Sequence, residues 1–459
     1  MFFAKYKQQY RRNLALAFPI VLTQLGQILT QVADNLMVGQ YGGENPEPLA
    51  AVSFGGMVFF ILFITTIGVA MGMTPLIGEL YVQDDKKRSS ALLQNGLVFY
   101  LLLGIAITVL QYTTTPLLYH LGQPEEIVDM AIPYYRMLSL SMPFMMIFFA
   151  FKQFLEGVGN TRAELYVTIV ANITNCCLNW VFIYGHLGAP EMGTEGAGLA
   201  TLIARISAPV LIFAYFVYYR CYRQYLREFA FRHFSRVSVR RLLQMGLPIS
   251  MQMFLESSAF VGIGIMMGWF GKEAMSANQI SITLGNCAFM IVISIGAATT
   301  IRVSHCFGRR NIDELALAAK ASYHLVLVWN AFAALVFITM RHIIPTMFTA
   351  NAEVIEIAST LLIFASLYQL SDGLQNVSVG ILRGLQDVKI IMPIAFISYW
   401  LLNLPIGYVL AFTLGMGPSG LYLSFFFGLS AAALLMILRI RRDIRKLKSS
   451  QSPTWATIQ

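Results

Sequence analysis

Long apolar runs separated by short polar junctions dominate the sequence. The runs repeatedly reach or exceed about 20 residues, the length that a helix needs to cross the hydrocarbon core of a bilayer. Apolar residues do not alternate with a period of two, and the runs are too long for barrel strands, so the pattern predicts helices. About twelve spans are predicted, near residues 14–38, 49–80, 90–118, 127–155, 163–187, 194–219, 242–270, 274–306, 314–340, 353–384, 388–414 and 417–438.

Basic residues fall almost entirely in alternate junctions. The two terminal segments and the even-numbered junctions, counted together with the ends of the spans beside them, hold 27 of the 32 lysines and arginines, among them Lys152 and Arg383. The longest of these junctions, residues 220–241, holds seven arginines. Loops rich in Lys and Arg stay on the cytoplasmic side of a membrane. We therefore expect a multi-pass protein of the cell (inner) membrane with both termini and the 220–241 linker in the cytoplasm.

Composition agrees with this pattern. The chain is 57% hydrophobic and only 12% charged, whereas soluble proteins carry about 25% charged residues. The net charge of +9 is explained by the cytoplasmic junctions, so the predicted surroundings are a lipid bilayer and no nucleic-acid partner is expected. The five cysteines lack metal-ligand spacing, and we expect free thiols with no disulfide and no metal cluster.

The two halves of the chain repeat the same short motifs at nearly the same spacing. Pro19 matches Pro248 at an offset of 229, Leu155-Glu156-Gly157 matches Leu382-Arg383-Gly384 at 227, and Leu178-Asn179 matches Leu402-Asn403 at 224. Three matches in one order predict a duplicated six-helix unit. The predicted fold is an all-α integral membrane protein with two pseudo-symmetric six-helix lobes around a central cleft. The predicted boundaries are 1–219 for the N-terminal lobe, 220–241 for the basic linker, 242–438 for the C-terminal lobe and 439–459 for a basic cytoplasmic tail.

Asp34 is an acid inside the first predicted span, where an ionised side chain costs about 2.5–3.5 kcal/mol. Asn175 and Asn179 in span 5 are four residues apart and share one helix face. Together they can offer oxygens to a small cation or a hydrogen-bond network that shifts on protonation. The alternatives are a protonated acid bonded to nearby backbone and polar contacts that only hold helices together.

Glu256 in span 7 and Asp372 in span 10 are two further acids at membrane depth, and Tyr368 lies one turn before Asp372. Two ionised carboxylates in one lobe repel each other, so a proton or a cation is expected between them. Glu256 and Asp372 are therefore candidate ligands for a small cation. The alternative is a pair that shares a proton and serves only to lock the helices together.

Few other residues within the predicted spans are candidates for a functional role. Arg136 and Arg205 lie within spans, where they either pair with these acids or extend toward the interface. We find no nucleotide-binding loop and no catalytic signature, so we predict neither an enzyme nor a cofactor. Active transport would then take its energy from an ion gradient.

Several motifs taken in order resemble the multidrug and toxic compound extrusion (MATE) family, NorM-like branch. The resemblance runs from about Pro19 to Gly420. The matching residues are Pro19, Gln24, Asp34, Met37-Val38-Gly39, Leu49-Ala50-Ala51-Val52, Pro75-Leu76, Leu155 to Arg162, Asn175, Leu178-Asn179, Gly246-Leu247-Pro248-Ile249, Glu256, Ala277-Asn278-Gln279-Ile280, Arg302-Val303 and Leu382-Arg383-Gly384.

This resemblance implies a multidrug exporter that works by alternating access as an antiporter coupled to Na⁺ or H⁺, with cationic or aromatic small molecules as substrates. It implies an ion-coupling site at Asp34, Asn175 and Asn179, and a second at Glu256, Tyr368 and Asp372 that is linked to Na⁺ in NorM-like members. Two positions depart from the family pattern: Glu79 stands where a Gln is usual and Asn278 where a His or Gln is common.

Two questions stay open at this point. A flippase for lipid-linked oligosaccharide precursors has a related architecture, although it calls for a more cationic cleft than Arg136 and Arg205 provide. Carboxylates serve Na⁺ and H⁺ alike, so the residues do not identify the coupling ion. A two-lobed chain has its full cleft alone, and we expect a monomer.

Overall fold

The computed structural model describes residues 2–43, 47–227, 229 and 234–451. Residues 228 and 230–233 of the predicted linker and residues 452–459 of the predicted tail lie outside this part. The described chain is helical almost throughout. Its α-helices are α1 (Phe2–Gly42), α2 (Glu47–Met71), α3 (Met73–Val82), α4 (Lys86–Thr113), α5 (Glu125–Leu140), α6 (Met142–Gly157), α7 (Arg162–Tyr184), α8 (Gly193–Tyr218), α9 (Arg220–Arg227), α10 (Arg236–Gly268), α11 (Lys272–Gly308), α12 (Ile312–Met340), α13 (Ala352–Gly384), α14 (Ile391–Ala395), α15 (Leu404–Tyr408) and α16 (Pro418–Gln451).

Polar side chains define the ends of several helices. Asp85 accepts a hydrogen bond from the backbone N–H of Arg88 at the start of α4, and Asn311 and Asn351 cap α12 and α13 in the same way. Such caps satisfy backbone donors that have no partner within the helix. Gly185 ends α7 in the left-handed conformation, with φ 72°, which glycine adopts without steric cost.

Twelve helical segments in the described part are long and apolar enough to cross a membrane. This confirms the predicted number of spans and the predicted all-helical membrane fold. Two spans are built from consecutive helices, α2 with α3 and α5 with α6, which join at Gly72 and Ser141. A third, Ile391–Thr413, combines α14 and α15 with two π-helical segments, Phe396–Asn403 and Val409–Thr413.

The chain forms two compact units. The N-unit consists of Pro19–Ser250, and the C-unit consists of Met1–Phe18 together with Met251–Gln459. The boundaries lie inside α1 and α10, close to Pro19 and Pro248, rather than in the 220–241 linker where the sequence pattern divides the chain. The part of α1 before Pro19 belongs to the C-unit and the rest of α1 to the N-unit. Helix α10 belongs to the N-unit up to Ser250 and to the C-unit from Met251 onward.

Matched glycines show the duplication in atomic detail. A Cβ built on Gly157 would lie 2.7 Å from the Ile77 Cβ, and one built on Gly384 would lie 2.7 Å from the Val303 Cβ. The same two positions would approach the carbonyl oxygens of Thr74 and Thr300, each at 2.9 Å. Small residues allow membrane helices to approach closely. Each unit therefore contains the same crossing of two helices, at sequence offsets of 226–227.

Candidate functional site

The N-unit holds a chain of polar side chains that begins at Asp34 on α1. Asn179 of α7 donates from Nδ2 to the Asp34 Oδ1 and also lies 3.3 Å from the Asn175 Oδ1. Asn175 in turn donates to the Thr201 hydroxyl of α8 at 3.3 Å. The structure thus brings together all three residues that the sequence singled out in this half, and adds Thr201.

A guanidinium group also belongs to this cluster. Arg205 of α8 lies close enough to Asp34 and Tyr134 to interact with them electrostatically. It donates to the Ser141 hydroxyl at 2.9 Å, and its guanidinium lies over the Phe59 ring, 4.9 Å from the centroid. Such a position over an aromatic face stabilises a cation. Arg205 therefore acts inside the unit, and the N-unit cluster carries one acid and one base.

The C-unit cluster is centred on Glu256 of α10. Gln252, one turn earlier, donates from Nε2 to the Glu256 Oε2 at 2.6 Å and accepts at its own Oε1 from Arg383 Nη2 at 3.0 Å. Gln252 therefore connects the acid to a guanidinium. The pattern of basic residues assigns Arg383 to a cytoplasmic junction, whereas the structure places it in the last turn of α13. A basic residue near the end of a span produces the same sequence pattern whether it faces water or the protein interior.

Asp372 of α13 is the second acid of this cluster. It is buried, with 6% of its surface exposed, and interacts electrostatically with Glu256. Its Oδ1 has no hydrogen-bond partner among the described residues. Tyr368, one turn earlier on α13, is near enough to interact with Asp372, and its ring lies 5.3 Å from that of Phe425. The structure thus brings together Glu256, Tyr368 and Asp372.

Tyr399 is a member of the C-unit cluster that the sequence did not reveal. It lies in the π-helical segment Phe396–Asn403, and its hydroxyl is near Glu256 and Asp372 without a hydrogen bond of standard geometry. Such segments occur frequently at functional sites. At the offset of 224 that relates the asparagines of the two halves, Tyr399 corresponds to Asn175. Applying the repeat offset to Asn175 could have found it.

Helices α12 and α13 of the C-unit also carry buried hydrogen-bond acceptors without donors. Four buried amide and carboxyl oxygens on these two helices lack a partner in the described chain: Asn330 Oδ1, Gln369 Oε1, Asp372 Oδ1 and Gln375 Oε1. Most buried polar atoms in proteins do have a partner, and oxygens of this kind are the ligands that hard cations prefer. This interior is chemically suited to a cation or a proton next to Glu256 and Asp372.

The two positions that depart from the family pattern have defined partners. Glu79 on α3 accepts from Arg241 Nη2 at 3.2 Å, within the N-unit. Asn278 on α11 accepts at Oδ1 from the Tyr422 hydroxyl at 2.9 Å, within the C-unit.

The MatE family profile matches two segments of the chain, residues 19–181 and 248–409. They begin 229 residues apart and have nearly equal lengths, as a duplicated unit requires. The chain is 31% identical over 448 residues to a probable multidrug resistance protein NorM of Idiomarina loihiensis, covering 96% of each chain. It is 29% identical over 443 residues to the multidrug resistance protein NorM of Photobacterium profundum, covering 95% of this chain and 96% of that relative.

Solved structures share the fold. A MATE protein in its bent conformation superposes with a TM-score of 0.87 at 20% identity, covering 96% of this chain and 98% of the other. A multidrug resistance MATE family transporter in its outward-facing conformation gives 0.86 at 21% identity, covering 96% and 97%. A transporter of the MOP superfamily from Pyrococcus furiosus gives 0.86 at 19% identity with the same coverage. At these identities the likeness establishes the fold.

Proposed function

Because the chain belongs to the MatE family, we propose that it is a secondary antiporter that exports cationic or aromatic small molecules in exchange for Na⁺ or H⁺. The coarser statement follows from family membership alone: the chain is a multi-pass membrane protein and a multidrug efflux transporter of the NorM type. As such it is a transporter and not an enzyme. The coupling ion and the substrate class are the proposed part.

The observation that carries the proposal is the excess of acidic over basic groups in the C-unit cluster. Two carboxyl groups, those of Glu256 and Asp372, interact with each other there, and a single guanidinium, that of Arg383, acts on Glu256. One negative charge is left without a fixed partner, and an unpaired buried charge is strongly destabilising. A bound Na⁺ or H⁺ supplies the missing positive charge. The Asp372 Oδ1 and the Tyr399 hydroxyl are the atoms that we expect to face it.

We propose a proton-coupled role for the N-unit cluster. Asp34 interacts with Arg205 and accepts from Asn179, so protonation of Asp34 would remove the charge that balances Arg205 and the acceptor that orients Asn179. A change of this kind can shift a packed network between two arrangements. A cationic substrate would compete with the proton for the same carboxylate.

Antiport then follows from competition. A ligand shifts a conformational equilibrium only by its difference in affinity for the two states. If the coupling ion and the cationic substrate neutralise the same acids, binding of one lowers the affinity for the other, and the coupling is reciprocal. Ion entry can therefore drive substrate exit by alternating access. We expect one chain to suffice for this cycle.

The test is efflux of a fluorescent cationic dye from proteoliposomes, with Na⁺ and H⁺ gradients imposed separately. Efflux driven by a Na⁺ gradient supports the C-unit assignment, and efflux driven only by a pH gradient moves the coupling to Asp34. Glu256→Gln should abolish Na⁺-driven efflux while the protein remains folded. Glu353→Gln, on an exposed residue in the first turn of α13, is the matched control. If neither gradient moves the dye, export of cationic molecules is rejected and a lipid-linked oligosaccharide becomes the substrate to test.

A further inference from the structure

The N-unit contains a second group of charged side chains, remote in sequence from Asp34. Lys152 and Glu156 lie in the last turns of α6, and Glu164 lies in the first turn of α7. Glu156 and Glu164 are 6% and 1% exposed, and the Lys152 side chain is 15% exposed. In the sequence pattern Lys152 counts among the basic residues of a junction. Two buried acids beside a partly buried lysine call for a physical explanation.

The contacts within this group are direct. The Lys152 Nζ lies 2.6 Å from the Glu164 Oε1 and 3.9 Å from the Glu156 Oε1. On the other side, the Thr74 hydroxyl of α3 lies 3.5 Å from the Glu156 Oε2. The remaining oxygen, Glu164 Oε2, is buried and has no hydrogen-bond partner within the described residues. The carboxyl groups of Glu156 and Glu164 face each other.

The charges of this group do not balance when both acids are ionised. One ammonium group faces two carboxyl groups, and the groups that act on Glu156 are Lys152, Glu164 and Thr74. If both acids were ionised, the cluster would bury an excess negative charge, and two facing carboxylates would repel each other. A single proton held between the two acids removes the excess charge. It also supplies the donor that the Glu164 Oε2 lacks.

We propose that Glu156 and Glu164 share an exchangeable proton, and that with Lys152 they form a proton-binding site separate from the Asp34 cluster. The site lies near the loop between α6 and α7. In this loop the Asn160 amide donates to the hydroxyls of Tyr215 and Tyr222, both at 2.9 Å. Tyr222 belongs to α9, so the site is at the linker end of the N-unit, which the basic residues predict to be cytoplasmic.

The repeat makes this site specific to the N-unit. At the offset of 227, Glu156 corresponds to Arg383. The neighbouring glycines, Gly157 and Gly384, occupy equivalent close crossings of two helices. A base therefore stands in the C-unit where an acid stands in the N-unit. A pair of acids that shares a proton at this position can form only in the N-unit.

Infrared spectroscopy of the purified, full-length protein tests the proposal without any transport assay. A neutral carboxylic acid has a carbonyl stretch distinct from that of a carboxylate. At neutral pH, Glu156→Gln and Glu164→Gln should each remove the signal of one neutral acid, because the acid that remains pairs with Lys152 and stays ionised. Glu195→Gln, on an exposed residue in the first turn of α8, should leave the spectrum of neutral acids unchanged.

A double variant sharpens the test. Lys152→Gln combined with Glu156→Gln leaves Glu164 without its counter-charge, so the neutral-acid signal should return. A wild-type spectrum from which neither single variant removes a neutral-acid signal would overturn the proposal. So would a double variant in which the signal stays absent. Both outcomes are independent of dye efflux, so failure of the export proposal would be recognised separately.

Discussion

Asp34 in the N-unit and Asp372 in the C-unit are both carboxyl groups inside membrane spans, but their surroundings differ. Asp34 accepts an amide hydrogen bond and interacts with one guanidinium, Arg205. Asp372 has an oxygen without a donor and shares its cluster with a second acid, Glu256. The N-unit cluster is balanced in charge when Asp34 is ionised, whereas the C-unit cluster is not.

The helical frame around the two clusters is the same. Gly157 and Gly384 allow matching approaches of two helices, and Asn179 and Asn403 correspond at an offset of 224. The polar residues at equivalent positions of the two units differ. Asn403 accepts from the Ser424 hydroxyl at 2.7 Å instead of contacting an acid. Duplication has thus preserved backbone packing while leaving each unit free to acquire its own ionic chemistry.

We expect the largest effect on Na⁺-driven efflux, and we expect it from substitution of Asp372 and not of Asp34. Asp372→Asn should reduce efflux driven by a Na⁺ gradient roughly 100-fold, near 3 kcal/mol, because it removes the charge that binds the ion. Asp34→Asn should leave Na⁺ binding to the C-unit intact, measured by Na⁺-dependent protection against thermal denaturation. Equal loss of Na⁺ binding in both variants would contradict the assignment of different ions to the two clusters.

Arg205→Met tests whether the N-unit cluster is balanced. The change leaves Asp34 without its cation and should lower the free energy of unfolding by about 3 kcal/mol, since breaking a buried pair leaves one charge uncompensated. Thermal denaturation of the purified protein in detergent measures the loss. Adding Asp34→Asn should restore most of the stability. If the double variant is as unstable as the sum of both single variants, the two side chains are not coupled.

The shared frame predicts equal effects at equivalent positions. Gly157→Ala and Gly384→Ala each place a methyl group 2.7 Å from a side-chain carbon of the neighbouring helix. Overpacking of this kind costs about 2 kcal/mol. The two losses of stability should therefore be similar. Gly264→Ala, at a position with no atom within 4 Å of the added carbon, serves as the control, and a large effect of only one of the first two variants would argue against equivalent crossings.

The smallest effect is expected from the side chain that links acid to base in the C-unit. Gln252→Leu removes the amide between Glu256 and Arg383 and should cost about 1 kcal/mol, since both groups lose a hydrogen bond but remain close to each other. Gln252→Glu should cost more, because it adds a third acid to the cluster. The comparison is made by thermal denaturation at constant salt. A neutral Gln252→Glu variant would mean that the cluster already holds a surplus of positive charge.

Much of the fold follows from the sequence because its physical causes are local. Span length is set by the bilayer, and span number is checked by the alternation of basic junctions. The acids Asp34, Glu256 and Asp372 were found from the cost of burying a charge. Their partners were less accessible. Arg383 and Lys152 have the sequence pattern of junction residues, and only the packed helices bring them to Gln252 and Glu164. The limits of the compact units also depend on packing, because α1 and α10 each continue through a boundary without interruption.

The first residues of α1 have a consequence for the order of assembly. Gln9 and Asn13 belong to the C-unit, where their side-chain oxygens accept from the buried Arg302 guanidinium of α11. These partners are 293 and 289 residues apart in the chain. At a synthesis rate of 5–20 residues per second, the N-terminal segment waits roughly 15–60 s for Arg302 to leave the ribosome. For that time the segment that is made first has no binding site, and the last-made half of the protein determines when the first helix reaches its final place.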